Sequence, residues 1–355
     1  FIEIYKNVLY YIPDRYTEGY GISFQGIDYS KENNATLIIA LDCGIKAHDK
    51  INYATEKGID FIICDHHLPD DTLPDAVAVL DPKRTDCTYP FDELSGCGIG
   101  FKLIQAYAQK NNISSEKIYE QLDLVAVSIA SDLVPVTGEN RILAKFGVDK
   151  VNNKPRAGFK ALMSELKLTR SLDITDLVFI IGPRINAAGR IAHGSEAVTL
   201  LIEENYETAL EKTKKIQQNN TDRKSLDKDI TEEAFSMIDS NEILIQKKST
   251  VLYQEHWHKG VIGIVASRLI EKYHRPTIIL AASNGKAVGS GRSVPGFDLH
   301  NAIDACSEHL IQFGGHKYAA GLTIEINKID DFIHAFDKIV SERILDEQLI
   351  PQIEI

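Results

Sequence analysis

The five cysteines among 355 residues form no C-x-x-C pair, and an odd number cannot pair off completely. Neither a disulfide framework nor a thiolate zinc site fits them; a reducing compartment, the cytoplasm, does. Long apolar runs are lacking, and no charged stretch followed by an apolar one opens the sequence, so neither a membrane span nor a secretory leader is expected. Positive charge is also short. Lys and Arg number 39 against 51 Asp and Glu, a formal charge of -12, so binding to a polyanion has to come from local patches. Apolar residues at 44% and charged residues at 25% exclude disordered and collagen-like classes. The length exceeds what one core usually serves, so two domains are expected.

What is present first is an alternation of strands and helices. TLIIALDC (36 to 43) reads as a buried strand, residues 45–57 as an amphipathic helix stopped by Gly58, residues 59–65 as a second strand and VAVLDP (77 to 82) as a third. Continuous apolar strands one helix apart predict a parallel sheet covered on both faces, with functional groups at the carboxyl ends of its strands. Asp42 and Asp65 sit at two such ends. Helical periodicity follows at 98–110, 116–132 and 157–166, while Phe1-Ile-Glu-Ile-Tyr-Lys reads as the interior of a helix, as if the sequence began inside a domain. Residues 205–238 are strongly polar with helix formers throughout, which predicts a solvated helix between domains. A smaller alternation runs from 249 to 310. The expected organisation is a first domain over 1–204, a linker helix over 205–245, a substrate-binding domain over 246–345 and the start of another linker over 346–355.

The sharpest chemical signal is Asp65-His66-His67 directly after an apolar strand, with Asp42 ending the preceding strand and Asp132 closing the helical run LVAVSIASD. Carboxylate and imidazole donors without thiolates suit Mn²⁺ or Mg²⁺ better than structural Zn²⁺. Taken alone, a strand-end Asp also suits a helix cap, and a His pair an ordinary turn. Cys43 and Cys64 flank these residues and read as small buried apolar groups. Further on, Gly289-Ser-Gly-Arg-Ser293 and Gly314-Gly315-His316 predict a backbone that a phosphate can approach closely, with Arg292 as a forked donor and Ser290 as a hydroxyl. Paired glycines equally suit plain turns. From Arg141 to Arg190 ten Lys or Arg stand against four acids, a net of +6, and from His256 to Gly321 seven against four, a net of +3. Such stretches suit the tracking of a single-stranded backbone. Tyr16, Tyr20, Phe297 and Tyr318 lie near these motifs and suit base stacking or core filling.

Asp42-Cys43-Gly44, Asp65-His66-His67 and the Asp132 segment resemble the second, third and fourth signatures of the DHH phosphoesterases. IPDRYTEGYG (12 to 21), SDLVPVTGENRIL (131 to 143), IGPRINAAGRI (181 to 191), WHKGVIGIVASRL (257 to 269) and FGGHKYAAG (313 to 321) narrow the resemblance to the RecJ family of single-strand-specific 5′ to 3′ DNA exonucleases, over nearly the whole chain. The family's first signature, an Asp-rich D-x-D-x-D-G loop, and its terminal oligonucleotide-binding barrel are not in the sequence, which reads as a trimmed core with little cleavage of its own.

The resemblance implies an α/β fold, with a parallel-sheet DHH domain joined by a long linker helix to a smaller α/β DHH-associated domain. It implies a metal-dependent exonuclease acting on single-stranded DNA in recombination and repair. Asp42, His66 and Asp132 would bind Mn²⁺ or Mg²⁺ in a two-metal site whose other ligands are partly absent, with Asp42 bridging, His67 facing the scissile phosphate and Asp65 orienting the His pair. Arg15, Arg184, Arg190, Ser290, Arg292, Gly314, Gly315 and His316 would hold substrate. The expected partner is single-stranded DNA, with no membrane, and with repair or replication proteins reached through the absent C-terminal region. Two alternatives stay open: a DHH phosphodiesterase of short oligonucleotides or cyclic dinucleotides, and an inactive RecJ-like DNA-binding scaffold.

Overall fold

Three apolar runs, β1 (Leu37–Leu41), β2 (Asp60–Cys64) and β3 (Ala78–Leu80), pair in parallel in the order 1-2-3. This computed structural model describes every residue except Glu3, Tyr16 and 353–355, so the reading of Tyr16 as a stacking residue falls outside the described residues. Strands that are apolar along their length need cover on both faces. Ala40, Phe61 and Ile63 pack with Ile27, Ile51 and Ala54 in one core cluster, and Cys64 packs with Leu94, Ile99, Val125 and Ile129 in another. The helix His48–Glu56 ends before Gly58, whose φ of +71° turns the chain back into β2.

The sheet pairing runs one residue past the strands. The Asp42 amide donates to the Cys64 carbonyl at 2.8 Å and the Asp65 amide to the Leu80 carbonyl at 3.0 Å, so residues 42, 65 and 81 leave the carboxyl edge side by side. The helix Leu122–Asp132 is apolar on nearly every side and is buried accordingly. The helix Gly138–Asn153 crosses it so closely that a Cβ on Gly147 would run into the Leu122 carbonyl and Ala126.

Two local expectations are corrected. The run 116–132 is two helices, Ser115–Tyr119 and Leu122–Asp132, because Arg156 donates to Gln121 Oε1 at 3.3 Å and to the Glu120 carbonyl at 3.5 Å in the break between them. The Ile4 and Tyr5 amides both donate to the Phe1 carbonyl, a turn where the interior of a helix was expected.

The chain divides into two compact units, Phe1–Asn220 and the residues from Thr221 onward. The 34-residue helix Tyr206–Asp239 contributes to both, and at 1.5 Å per residue it is about 51 Å long. The second unit holds β4 (Thr250–Gln254), β5 (Thr277–Ser283), β6 (Lys286–Arg292), β7 (Leu310–His316) and β8 (Ala319–Ile324) in the order β4-β5-β6-β8-β7. β4 and β5 are parallel and the other pairs antiparallel. Phe332, Phe336 and Val340, four residues apart on the helix Ile329–Arg343, share a core cluster with Ile278, Leu280, Leu322 and Ile324.

Candidate metal centre

Two residues of the centre stand against local backbone preference. Asp42 follows β1 with φ of +64°, a left-handed conformation costing a non-glycine residue on the order of 1 kcal/mol. Asp132 is the last residue of its helix and is followed by Leu133 at φ +56°, so its carboxylate faces the negative end of the helix dipole. A cation bound there would offset both costs, and conflicts between local rule and fold collect at functional sites.

Between these carboxylates stands His66. Its Nε2 lies 3.1 Å from Asp42 Oδ1 and 3.2 Å from Asp132 Oδ2. Donor atoms in adjacent positions around one octahedral ion at about 2.1 Å stand roughly 3.0 Å apart, which is the spacing observed. His67 closes the group: one ligand atom each from Asp42, His66 and His67 lie within 4.8 Å of one another. The donor set and its spacing fit a hard divalent cation of the Mn²⁺ or Mg²⁺ kind.

Asp65 organises the pair from beneath, fully buried. Its Oδ1 accepts from the His66 amide at 2.8 Å, the His67 amide at 3.2 Å and His67 Nδ1 at 2.7 Å, while Oδ2 accepts from the Ile45 amide at 3.0 Å. Burial opposes its charge, but the His67 ring and the amides outweigh burial and bring its pKa down to about 2. An ionised Asp65 only accepts, so Nδ1 of His67 carries the proton and Nε2 is left for another partner.

The neighbouring shifts follow from the same crowding. The Asp42 carboxylate beside it raises the pKa of His66, against burial and with help from Asp132. Burial raises that of Asp132, with His66 opposing, and the Asp65 carboxylate raises that of His67. The Cys43 and Cys64 thiols are pushed up to about 12, by burial first and by Asp65 next, so both act as packing groups rather than thiolates.

Residues 2–129 match the DHH family, N-terminal domain, and residues 246–342 the DHHA1 domain. The single-stranded-DNA-specific exonuclease RecJ of Salmonella typhimurium is 37% identical over 356 residues, which takes in 95% of this chain. The chain belongs to the DHH family. RecJ of Bacillus subtilis is also 37% identical over 356 residues and takes in 98% of the chain. The DHH chain spans 61% of the length of the first relative and 44% of the second. A crystal structure of exonuclease RecJ bound to manganese is similar with a TM-score of 0.83 at 29% identity, over 95% of this chain and 83% of that one.

Elsewhere in the DHH unit, the Arg15 guanidinium lies 4.3 Å from the ring centroid of Tyr20, itself 76% exposed. Arg184 and Arg190 share the helix Gly182–Ile191, where Arg184 donates to Gln217 Oε1 at 2.8 Å and to the Ile180 carbonyl at 2.6 Å. The turn before that helix, Leu177–Ile181, is π-helical, a geometry often found at functional sites. Of the ten basic residues in 141–190, Lys145, Lys150, Arg156 and Arg170 are held in ion pairs, Arg156 on the fully buried Asp123.

In the DHHA1 unit, Ser290 and Arg292 project from β6, and Arg292 Nη1 donates to Ser290 Oγ at 3.2 Å and to the Gly291 carbonyl at 2.7 Å. The intervening glycines do not have the expected role. A Cβ on Gly289 would lie 2.6 Å from Leu280, and one on Gly291 2.9 Å from Leu299, so these glycines admit the core rather than a phosphate. What approaches Ser290 and Arg292 is the first turn of the helix Ile262–Tyr273: a Cβ on Gly263 would stand 2.8 Å from Ser290 Oγ and 3.1 Å from Arg292 Nη2. Gly314, Gly315 and His316 lie in β7, paired with Gly321, Ala320 and Ala319 of β8, and His316 is exposed. Phe297 is a core residue, whereas Tyr318 is exposed.

Three residues escaped the sequence reading. Asp81 ends the third strand as Asp42 and Asp65 end the first two, so the strand-end rule itself would have found it. Gly96 and Gly263 carry no signal beyond being glycine.

Proposed function

We propose that this chain is the nuclease core of a metal-dependent exonuclease that hydrolyses the phosphodiester bonds of single-stranded DNA in the 5′ to 3′ direction, in cytoplasmic recombination and repair. The observation that carries the reading is the position of His66 Nε2 between the Asp42 and Asp132 carboxylates, 3.1 and 3.2 Å from them. Similarity to RecJ over nearly the whole chain supports the substrate class. In this reading the DHH domain takes in 1–204, the linker helix 205–245 and the DHH-associated domain 246–345.

Asp42, His66 and Asp132 would hold Mn²⁺ or Mg²⁺. Such a cation, when bound, lowers the pKa of a water ligand and offsets charge on the phosphate. The side chains supply the rest. Asp65 locks both histidine backbones and the His67 ring, which presents His67 Nε2 to the scissile phosphate. The raised pKa of His67 keeps it protonated further up the pH scale, so Nε2 donates to a phosphate oxygen or to the leaving 3′-oxygen. Ser290, Arg292 and the helix start at Gly263 form a receptor for the terminal 5′-phosphate. Arg15, Arg184, Arg190 and the strand Gly314-Gly315-His316 contact the backbone.

The test uses a natural protein that contains this chain, with 5′-phosphorylated single-stranded, duplex and cyclic dinucleotide substrates. Mn²⁺-dependent release of nucleotides from the 5′ end of the single strand is expected, with His66→Ala slower by about 10³-fold or more. Equal turnover of the cyclic dinucleotide, or cleavage that survives chelation of the metal, would overturn the proposal.

A further inference from the structure

Two buried polar atoms beside the centre, His66 Nδ1 and Asp81 Oδ2, make no hydrogen bond among the described residues. Their residues are 7% and 3% exposed. Leaving such an atom unpaired in the interior costs roughly 1–3 kcal/mol. One of these can donate and the other accepts, so each supplies what the other lacks.

The sheet explains why they are neighbours. Cys64 and Leu80 are register partners, and the Asp65 amide donates to the Leu80 carbonyl, so the segments after β2 and β3 run out together. Oδ1 of Asp81 accepts from the Lys83 amide at 2.8 Å, which fixes the carboxylate and leaves Oδ2 over. The two side chains also act on each other electrostatically: burial raises the pKa of Asp81, Asp65 adds to this, and His66 opposes it. Asp65 cannot serve His66 Nδ1, because both its oxygens are already occupied by three amides and the His67 ring.

A neutral imidazole carries one proton, and the nitrogen that holds it cannot bind a metal. Metal-binding histidines therefore usually give their other N–H to a carboxylate, a carbonyl or a water. We propose that Asp81 is a positioning residue of the metal centre, accepting the Nδ1–H of His66 through one bridging water, so that Nε2, between Asp42 and Asp132, is the nitrogen that gives up its proton to a metal. The benefit of this arrangement to metal binding rests on the reading of Asp42, His66 and Asp132 as ligands. A water suits two buried atoms left unpaired in a polar site, one able to donate and the other to accept.

The experiment has two arms on the whole chain. In the metal-free, histidine-¹⁵N-labelled protein, long-range ¹H–¹⁵N spectra report the hydrogen on His66 Nδ1 and its exchange with solvent. The wild type and Asp81→Asn, which keeps an acceptor oxygen, are expected to show an Nδ1–H resonance that exchanges slowly with solvent; in Asp81→Leu and Asp81→Ala that resonance is expected to exchange fast and disappear. Mn²⁺ titration followed by electron paramagnetic resonance should show Kd raised roughly 10- to 100-fold in Asp81→Leu and Asp81→Ala and little changed in Asp81→Asn. The alanine variant carries the test if the leucine variant does not fold. An unaltered Nδ1–H resonance and wild-type Kd in a folded variant without the carboxylate would overturn the assignment. The Nδ1–H arm decides the role of Asp81 even if the wild type binds no Mn²⁺, a result that would defeat the ligand reading instead.

Discussion

Gly96 lies against the carboxylate of Asp42 so closely that a Cβ built on it would collide with Oδ1, Cγ and Cβ of the aspartate. Gly96 opens the helix Gly96–Lys110, whose cap Ser95 accepts from the Gly98 amide, so the positive end of a helix dipole also meets that carboxylate. Contact and dipole together fix the direction in which Asp42 points. Gly96→Ala is expected to push Asp42 out of line with His66 and weaken Mn²⁺ binding about tenfold or more. Calorimetric titration at matched folded fraction, checked by circular dichroism, makes the comparison. An unchanged affinity would mean that Asp42 has freedom to move and still bind.

Asp132 should show stability and binding changing in opposite directions. Asp132→Asn removes a charge from the unfavourable end of a helix and from the neighbourhood of Asp42. The metal-free variant is expected to gain about 0.3–1 kcal/mol in urea unfolding. In the same protein Mn²⁺ affinity should fall at least about tenfold. Loss of stability and unchanged affinity together would remove Asp132 from the centre.

Acid should act on the metal-free chain through Asp65. Its folded pKa of about 2 lies below the ordinary value of 3.8, so its ionised form stabilises the fold above about pH 4. That contribution is lost as pH falls through about 2, and integrates to about 2 kcal/mol. Urea unfolding at stepped pH should show Asp65→Asn lacking this part of the acid slope. Parallel slopes in the two proteins would place the acid sensitivity elsewhere.

For the receptor on β6, Arg292→Ala is expected to weaken binding of a 5′-phosphorylated single strand about tenfold more than that of a 5′-hydroxyl strand. Gly263→Ala should produce the same preference without removing any charge, because its methyl would crowd Ser290 Oγ and Arg292 Nη2. Fluorescence anisotropy at two salt concentrations separates this loss from general backbone attraction, which falls steeply with salt. Equal losses on both strands would make Arg292 a backbone clamp.

Much of the centre was legible because parallel strands announce themselves as apolar runs and deliver their last residues to one edge. Asp42, Asp65, His66 and His67 were found by that rule. Asp132 needed only the end of an apolar helix. Less visible was exclusion in three dimensions: Gly96, Gly147, Gly263 and Gly289 are each required by a side chain or carbonyl distant in sequence. The helix Gly138–Asn153 was missed for the same reason, since a glycine in its middle argues against a helix until the crossing with Leu122–Asp132 is known. The basic surplus of 141–190 was real as arithmetic, but Arg156 belongs to the buried Asp123 rather than to a ligand.

The alternation along β6 separates two kinds of failure. Ala287, Gly289 and Gly291 are buried, while Val288, Ser290 and Arg292 lie on the opposite face and are only partly covered. Damage at the first set would remove folded protein, whereas under the proposed phosphate receptor damage at Ser290 or Arg292 would leave folded protein with weakened ligand binding. A deep mutational scan scored for abundance and for DNA binding would therefore read the strand as two interleaved messages. An assay of activity alone would merge them and give the glycines credit for chemistry they do not perform.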